Sequence, residues 1–357
     1  MYSGTRLSLI LFAWYGLVTG QSKNAPSQTI HLDWQAQNSG ITSSFRGISV
    51  VNAEVAWVSG SKGMYARTID GGKTWRPDSV AGASSLDFRD VEAFDANMAI
   101  LMSAGNGELS RIYRTTDGGK HWTLQYTNTL PTGFFDGMAF WDEKNGIVFG
   151  DPADGRLFII STSDGGATWN RVPPENIPPV LPREYAFAAS GTSITAQGAS
   201  NVWIGTGGEA ARVFRSTDRG KTWTVATTPI ISGNESSGIF SLAFRDSLYG
   251  VAVGGDYKNP EQGGANVSMT TDGGLIWTLV KSSHSMRYRS AIAYLGNSLL
   301  PMFVAVGPSG SDFSVDGVTW QKLGDTGYHT LGFAKSANAG WAAGADGRIA
   351  KLSNDAQ

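Results

Sequence analysis

Thr68-Ile69-Asp70-Gly71-Gly72-Lys73-Thr74-Trp75 is the sharpest motif of this chain, and its pattern, Ser/Thr-x-Asp-x-Gly-x-x-Trp, occurs six times, the last copy one residue shorter. An aspartate in a tight turn can accept hydrogen bonds from the amides that follow it, and glycines adopt positive φ without steric cost. A turn that is used in every unit is scaffold. We therefore interpret the aspartate and tryptophan of each copy as structural residues, namely Asp70 and Trp75, Asp117 and Trp122, Asp164 and Trp169, Asp218 and Trp223, Asp272 and Trp277, and Asp316 and Trp320.

The motif repeats at intervals of 43 to 54 residues, because its tryptophans stand at positions 75, 122, 169, 223, 277 and 320. A period of this length, with several short strands per unit, is typical of propellers and solenoids. Each unit contains short segments of alternating polarity bounded by Gly, Asn and Asp, which favours strands over helices. The first unit shows segments 45–51, 54–59 and 64–67 and a strand that Trp75 opens. The pattern predicts four-stranded blades.

A seventh unit is split between the two ends of the chain. Residues 328–352 supply three strands, and Ser353-Asn354-Asp355 begins another copy of the motif. The missing strand is His31 to Ala36, with Trp34 where the motif tryptophan belongs. We predict an all-β, seven-bladed β-propeller whose ring is closed by pairing of the N-terminal strand with the C-terminal blade, which removes open sheet edges.

The net charge and the amino-acid composition of the chain exclude several kinds of chemistry. The 357 residues carry a formal net charge of −2, so no basic field for nucleic acid is evident, and we expect no nucleic-acid partner. There is no cysteine, which excludes disulfides, thiolate metal sites and cysteine nucleophiles. Lacking disulfides, the fold must rely on packing.

The first twenty residues differ from the rest. Arg6 precedes an apolar run from Leu7 to Val18, and Val18-Thr19-Gly20 fits the small-x-small cleavage rule. We predict a signal peptide over 1–20 cleaved after Gly20, a polar linker over 21–30 and the propeller over 31–357. The mature protein is then expected to be secreted or periplasmic, without an integral membrane domain. The alternative is an uncleaved membrane anchor, for which the run is short.

The six motifs resemble Asp-box (BNR) repeats, over residues 31 to 357. Phe45-Arg46-Gly47-Ile48, with its Gly-rich turns, is most similar to the seven-bladed photosystem II stability/assembly factor family. That resemblance implies a soluble or lipid-anchored propeller on the lumenal or extracytoplasmic side that acts by holding other proteins. It therefore implies protein partners, such as subunits of membrane complexes, and requires no catalysis. Relatives also occur in chains with no link to photosynthesis. We expect a monomer.

The entrance of the central channel is the usual place for function in a propeller, and the first strand of each blade lines it. Blades six, seven, one and two are neighbours in the ring, so we predict that Arg289, His329, Arg46 and Arg89 form one cationic arc that binds a partner or ligand, with Asp136 beside it. Such an arc suits a carboxylate or a phosphate. The alternative is that each arginine pairs with a neighbouring carboxylate such as Asp90, Asp136 or Glu92 and fills the mouth. Aligning the blades gives the equivalent positions Arg46, Arg89, Asp136, Ser190, Phe240, Arg289 and His329.

Asp-box propellers include sialidases, so a glycosidase or sugar-binding propeller is the alternative function. That chemistry needs an arginine triad, a tyrosine nucleophile assisted by a glutamate, and an acid aspartate. Arg46, Arg89 and Arg289 could imitate the triad, but Gly47-Ile48 stands where the sialidase signature has Ile-Pro. No Tyr/Glu pair stands out, although Tyr288 and Glu184 are present. We therefore expect no catalytic residue.

Other sites also look unfavourable in the sequence. Gly205-Thr206-Gly207-Gly208-Glu209-Ala210 matches G-x-G-x-x-A, but a strand pattern follows it rather than a helix, so we interpret it as a hairpin turn. The four histidines show no ligand spacing. The acidic loops 151–154 and 256–261 lack the EF-hand pattern. We expect no cofactor and no metal. Recognition is expected instead from long loops that rim one face, 172–184, 230–237 and 254–264.

Overall fold

The computed structural model describes residues 7–10, 29–282 and 284–356, with side chains from Leu32 onward and up to Ser353. These ranges contain 31 β-strands and three short 3-10 helices, Gly107–Leu109, Pro174–Asn176 and Ala345–Gly347. No helix within them is long and apolar enough to cross a membrane. The prediction of an all-β chain is confirmed.

The strands form seven antiparallel blades of at least four strands each. From the channel outward, blade one contains Phe45–Val50, Ala56–Gly60, Met64–Thr68 and Arg76–Ser79. Blade two contains Asp87–Ala93, Ala99–Ala104, Arg111–Thr115 and Thr123–Thr127. Blade three contains Phe135–Phe140, Gly146–Ala153, Arg156–Thr162 and Asn170–Arg171. Blade four contains Ile194–Gln197, Asn201–Gly205, Arg212–Ser216 and Thr224–Thr227.

The remaining blades follow the same order. Blade five contains Ser237–Phe244, Gly250–Asp256, Val267–Thr270 and Thr278–Leu279, and the short strands Glu184–Tyr185 and Gly207–Gly208 extend its inner edge. Blade six contains Ala291–Leu295, Met302–Gly307, Gly310–Ser314 and Gln321–Gly324. Blade seven contains Thr330–Phe333, Gly340–Ala343, Arg348–Ala356 and, as its fourth strand, Thr29–Asn38.

The ring closes as the sequence predicts. The strand Thr29–Asn38 pairs with Arg348–Ala356 in a continuous antiparallel ladder. The predicted seventh motif turn is wrong, however. Lys351 lies over the Trp341 ring as Arg67 lies over Trp57, so Leu352 rather than Ser353 takes the place of Thr68. The motif is one residue out of register, and residues 353–355 continue the strand instead of turning.

A fifth strand lies at the outer edge of blade seven. Leu7–Ile10 pairs with the first residues of Thr29–Asn38, from Leu7 opposite Leu32 to Ile10 opposite Thr29. The rest of the predicted signal peptide, including the cleavage site after Gly20, lies outside the described residues, as does the linker as far as residue 28.

Large side chains between adjacent blades form the core. Trp57, Trp203 and Trp341 are fully buried. The indoles of Trp57 and Trp203 donate to carbonyls of the next blade, and Trp341 donates to Gln37 of its own blade, which also accepts from Trp75 of blade one. Burying such a ring removes a large apolar area from water, and the bonded N–H avoids a desolvation penalty. The blades therefore hold one another without a disulfide.

The six motif turns lie on one face of the ring, which we call the box face. In the first copy, Asp70 Oδ1 accepts from the Thr74 amide at 2.9 Å, and Thr68 Oγ1 accepts from the Gly72 amide at 2.9 Å. The Gly71 amide donates to Glu54 O, in the loop that joins the first two strands of the blade. First strands begin on the opposite face, which we call the mouth face.

Candidate binding face

A β-bulge at the start of the first strand presents Arg46 and Arg89 to the channel entrance. Phe45 opposes Gly60 and Gly47 opposes Ser59, which leaves Arg46 out of the ladder, and blade two repeats this around Arg89. Phe45, like its counterpart in blade two, is fully buried between blades. A bulge re-aims the extra residue, so the buried phenylalanine fixes the strand while the next side chain is free to face the mouth.

The guanidinium groups of Arg46 and Arg89 are half-buried, and each donates a hydrogen bond to a backbone carbonyl. Arg89 Nη1 donates to Ala188 O at 2.7 Å, and its Nε pairs with Asp87 Oδ2 at 2.6 Å. Arg46 Nη1 donates to Ala189 O at a longer 3.4 Å. Burial, followed by the charge of Arg89, lowers the pKa of Arg46. Since a guanidinium has five N–H donors, these contacts leave Arg46 with donors available for an acceptor.

The carbonyls belong to a segment that crosses the entrance, residues 185–191, which we call the mouth segment. The Ala186 amide donates to Asp151 Oδ1 at 3.3 Å, and Ser190 Oγ donates to Ser290 O at 2.8 Å. Thr330 Oγ1 donates to Ser190 O at 3.0 Å. These contacts tie the segment to three different blades, so it covers the channel on the mouth face.

Two carboxyl groups lie under the mouth segment beside Arg89. Asp136 is buried, and its Oδ2 has no hydrogen-bond partner among the described residues. Burial, with the nearby charge of Asp151, raises the pKa of Asp136 well above its usual value. Burial raises the pKa of Asp151 to about 6. The raised pKa disfavours the charged form of Asp136, so this carboxyl offsets the charge of the arginines less than an exposed aspartate would.

His329 reaches the mouth at the position equivalent to Arg46, but not as a cation. Its Nδ1 lies 3.1 Å from Phe45 O. Burial, followed by the charge of Arg46, lowers the pKa of His329 to about 4. The imidazole is therefore neutral at pH 7, and the positive charge of the entrance comes from Arg46 and Arg89.

Arg289 does not line the entrance, which corrects the predicted alignment. Its amide donates to Gly254 O of the preceding blade, as the Phe45 amide donates to Gly344 O, so Arg289 occupies the place of Phe45. The ladder of blade six begins with Ala291 opposite Val306, which corresponds to Gly47 opposite Ser59, so Ser290 takes the place of Arg46. The Arg289 side chain turns into the blade, where Nη2 and Nε lie 2.6 and 2.7 Å from Asp312 Oδ2. This arginine is therefore in an ion pair inside the blade, whereas the predicted alternative placed such pairs in the channel mouth.

An aromatic wall that the sequence reasoning missed flanks the arginines. Phe187 of the mouth segment stacks on Phe240 with ring centroids 4.0 Å apart. Tyr288 meets Phe240 edge to face, and the exposed ring of Tyr257 contacts both phenylalanines. Phe240 stood in the alignment, but the mouth segment is unique in the chain, so no repeat predicted its partner. The face thus combines cations with apolar rings.

The long loops do gather on the mouth face. Lys258 pairs with Glu235, which links the loops 254–264 and 230–237. Arg287 pairs with Glu261 at 2.6 Å. Both loops lie around blades four to six, so one half of the face is walled by loops while the half formed by blades one and two keeps Arg46 and Arg89 accessible.

The other end of the channel is open. A cavity of about 730 Å³ is lined by the ends of the first strands, with aliphatic residues such as Ile48 and Leu242 inside and Phe94 and Trp141 nearer the box face. Glu92 faces it and makes no hydrogen bond or ion pair with another described residue; burial raises the pKa of its carboxyl. The cavity and the arginines are therefore at opposite ends of the channel.

Seven blades joined by motif turns make this chain an Asp-box β-propeller. Within that class it resembles the photosystem II assembly factors. The family model described as photosynthesis system II assembly factor YCF48 matches residues 26–133. A curated xyloglucanase of a Paenibacillus species is 32% identical over 124 residues, which are 32% of this chain and 11% of that protein. The chain thus spans about a tenth of the length of this relative.

Solved structures share the fold at low identity. YCF48 bound to D1 peptide is 19% identical with a TM-score of 0.59, over 90% of this chain and 97% of that one. YCF48 from Cyanidioschyzon merolae is 18% identical with a TM-score of 0.62, over 90% and 98%. The GH74 xyloglucanase from Xanthomonas campestris is 15% identical with a TM-score of 0.59, over 89% of this chain and 53% of that one.

Proposed function

We propose that this chain is a non-catalytic binding propeller that acts outside the cytoplasm as an assembly or stability factor. Its mouth face would receive a carboxylate-bearing segment of another protein. The observation that carries the proposal is the pair Arg46 and Arg89, half-buried at the entrance with donors to spare. Charge-assisted hydrogen bonds from guanidinium to carboxylate are among the strongest that proteins make.

The surroundings of the pair support a peptide rather than a free anion. The aromatic wall of Phe187 and Tyr257 offers apolar contact beside the cations, and aromatic residues with arginine are the usual anchors of protein interfaces. The mouth segment closes the channel, so a ligand would lie across the face. The YCF48 neighbour bound to D1 peptide supports a peptide ligand for this chain.

The location of the protein is part of the proposal. The apolar run from Leu7 to Val18 supports a secreted or periplasmic protein, either after cleavage at Gly20 or with the run kept as an anchor. N-terminal sequencing of the protein purified from the extracytoplasmic fraction of its host tests this. A mature N-terminus at Gln21 fits cleavage, whereas an intact N-terminus in the cytosolic fraction would contradict export.

A binding experiment tests the mouth face. We would titrate a fluorescent D1 peptide with a free C-terminal carboxylate, and its C-terminal amide, into wild type and Arg46→Ala/Arg89→Ala. A charged hydrogen bond contributes about 1.5–3 kcal/mol, so the double variant should bind at least about tenfold more weakly. Arg183→Ala is the control, because it also removes one arginine but only breaks an exposed ion pair with Glu209, and such pairs contribute little.

Wild type and the same variants are then used as bait to capture proteins from an extracytoplasmic extract. This experiment does not assume that the partner is photosynthetic. Loss of a protein from the double variant, but not from Arg183→Ala, fits the proposal. Equal peptide affinity and identical captured proteins for all three chains would refute it.

A glycoside-binding or hydrolysing propeller is the second candidate. Its support is the likeness to two xyloglucanases and the pair Asp136 and Asp151 next to Arg89. A hydrolase needs one protonated and one ionised carboxyl group within reach of the sugar, whereas Asp136 is buried. Reducing ends released from xyloglucan and from sialyllactose, compared with Asp151→Asn, test this function. Turnover that Asp151→Asn abolishes would favour the enzyme over the binding protein.

A further inference from the structure

The box face carries an apolar patch on blades five and six that neither the motif turns nor the mouth face explains. Of the eleven large apolar side chains exposed in the described residues, six lie in this sector, so they are not scattered singly. Ile276 is 69% exposed and Leu299 73% exposed. The patch consists of Leu248, Leu275, Ile276, Leu299, Val315 and Val318.

Contacts of the backbone place these residues side by side. The Gly273 amide donates to Leu248 O at 2.8 Å, which holds the motif turn of blade five against its loop. The Tyr249 hydroxyl donates to Asp316 O, which joins that loop to the motif turn of blade six. Leu299 stands in the corresponding loop of blade six, between its first and second strands. The loop and turn of blade five and the turn of blade six are therefore adjacent, and Leu299 stands on the same face of blade six.

The other motif copies show that the patch is not required by the turn. Leu275 and Ile276 occupy the places of Lys73 and Thr74 in blade one, and of Lys221 and Thr222 in blade four. The turn itself is kept, because Asp272 Oδ1 still accepts from the amides of residues 275 and 276 at 3.0 Å. Two exposed apolar side chains have thus replaced a cation and a hydroxyl that the same turn tolerates elsewhere.

The apolar N-terminal strand lies toward the same face. Third strands run from the mouth face to the box face, and Arg348–Ala356 continues in that direction past the level of a motif turn. Its partner residues, up to the ladder pair of Ile30 and Ala356, therefore extend on the box side, and Leu7–Ile10 pairs with them. Blade seven is the neighbour of blade six, so the apolar strand and the patch share one side of the molecule.

We propose that the patch on blades five and six inserts into the surface of a lipid bilayer, with the box face toward the membrane and the mouth face away from it. The composition favours lipid over protein, since all six tips are aliphatic, whereas protein interfaces are enriched in aromatic residues and arginine. A bilayer accepts aliphatic tips without shape complementarity. The carboxylates behind the tips need no new partner, because turn amides already hydrogen-bond Asp272 and Asp316.

The test uses phosphatidylcholine vesicles and the full chain, so that the N-terminal run is present in every sample. Leu275→Lys/Ile276→Thr restores the residues of blades one and four and leaves the turn intact. Burial of one aliphatic side chain changes a partition constant by about tenfold or more, so we expect the vesicle partition coefficient to fall at least about tenfold. The control Lys73→Ala/Thr74→Ala removes polar side chains from the same positions of blade one and should leave it unchanged.

Because the chain has no cysteine, a single introduced thiol reports where the membrane touches. An environment-sensitive dye on Ile276→Cys should shift to the blue with vesicles, and the dye on Thr168→Cys, the same motif position on blade three, should not. A dye at 276 that stays in water while the protein sediments with vesicles would overturn the proposal. So would equal partition of Leu275→Lys/Ile276→Thr, or self-association that this variant abolishes in protein that does not bind vesicles.

Discussion

Removing the Asp312 carboxylate should destabilise the fold more than removing any surface ion pair. Asp312 is fully buried and Arg289 is 3% exposed. Oδ2 accepts from Nε and Nη2 of the arginine, and Oδ1 lies 2.8 Å from His284 Nε2. In Asp312→Ala the guanidinium stays charged, and it retains only the bonds of Nη1 to Tyr288 O and Ser309 Oγ.

The expected cost follows from that unpaired charge. Breaking a buried ion pair by removing one partner costs about 3–5 kcal/mol, whereas replacing both partners by apolar residues of similar volume is often neutral. We therefore expect Asp312→Ala to lose about 3–5 kcal/mol of unfolding free energy, and Arg289→Met/Asp312→Leu to lose much less. The coupling between the two positions should be at least about 2 kcal/mol.

Urea unfolding followed by tryptophan fluorescence measures these energies. Arg287 and Glu261 provide the matched control, because this pair lies 2.6 Å apart but is about half exposed on each side. Exposed pairs contribute about 0–1 kcal/mol, so Glu261→Ala should change little. A loss below about 1 kcal/mol in Asp312→Ala, or a double variant as unstable as the sum of its single changes, would refute the reasoning.

Three further changes have expected outcomes. Asp151→Asn should raise the unfolding free energy at pH 7 by up to about 3 kcal/mol, because a pKa of about 6 in the folded state lies above the usual 3.8. Urea unfolding should show this gain disappearing as pH falls from 6 to 4. Hydrogen bonds from Thr168 lower the pKa of Asp164 to about 2, so its contribution to stability is present above pH 4 and is lost as pH falls through 2. Carboxyl-carbon NMR titration checks that midpoint. Deleting residues 1–38 removes the fourth strand of blade seven, and limited proteolysis should then cut residues 348–356; an uncut, monomeric protein would contradict this.

The number of blades was predictable because the motif occurs once in each repeating unit, so counting its copies counts the units. Six copies of the motif fixed the strand pattern of each unit, and Trp34 identified the strand that closes the ring. The false motif at Ser353 shows the limit of this reasoning. Three residues of the right type occur there one position late, and the ladder with Thr29–Asn38 keeps them extended. Pairing with a partner strand outweighed local turn preference.

The site was less predictable than the fold, because it depends on features that do not repeat. Tyr288-Arg289-Ser290 looks like Phe45-Arg46-Gly47 in sequence, yet Arg289 takes the place of Phe45 inside the blade and Ser290 takes the place of Arg46. The mouth segment occurs once, so no second copy revealed that residues 185–191 cross the entrance. The sequence predicted the cations at Arg46 and Arg89, but only the structure showed that the mouth segment and the aromatic wall lie beside them.

Departures from the repeat are the residues that the scaffold does not explain. A motif turn needs its aspartate, its hydroxyl and its glycine, as the hydrogen bonds of Asp272 show. A threonine before the tryptophan adds a side-chain hydrogen bond to the aspartate, as Thr74 does, but the turn of blade five forms without it. Lysine and threonine fill the two positions before the tryptophan in blades one and four, and leucine and isoleucine fill them in blade five. Exposing Leu275 and Ile276 leaves apolar area in water without helping the turn. The same reasoning applies to the mouth, where a buried Asp136 stands in the position that an arginine occupies in blades one and two. In both places the common turn or strand is kept while the side-chain chemistry changes, so the fold does not account for these residues.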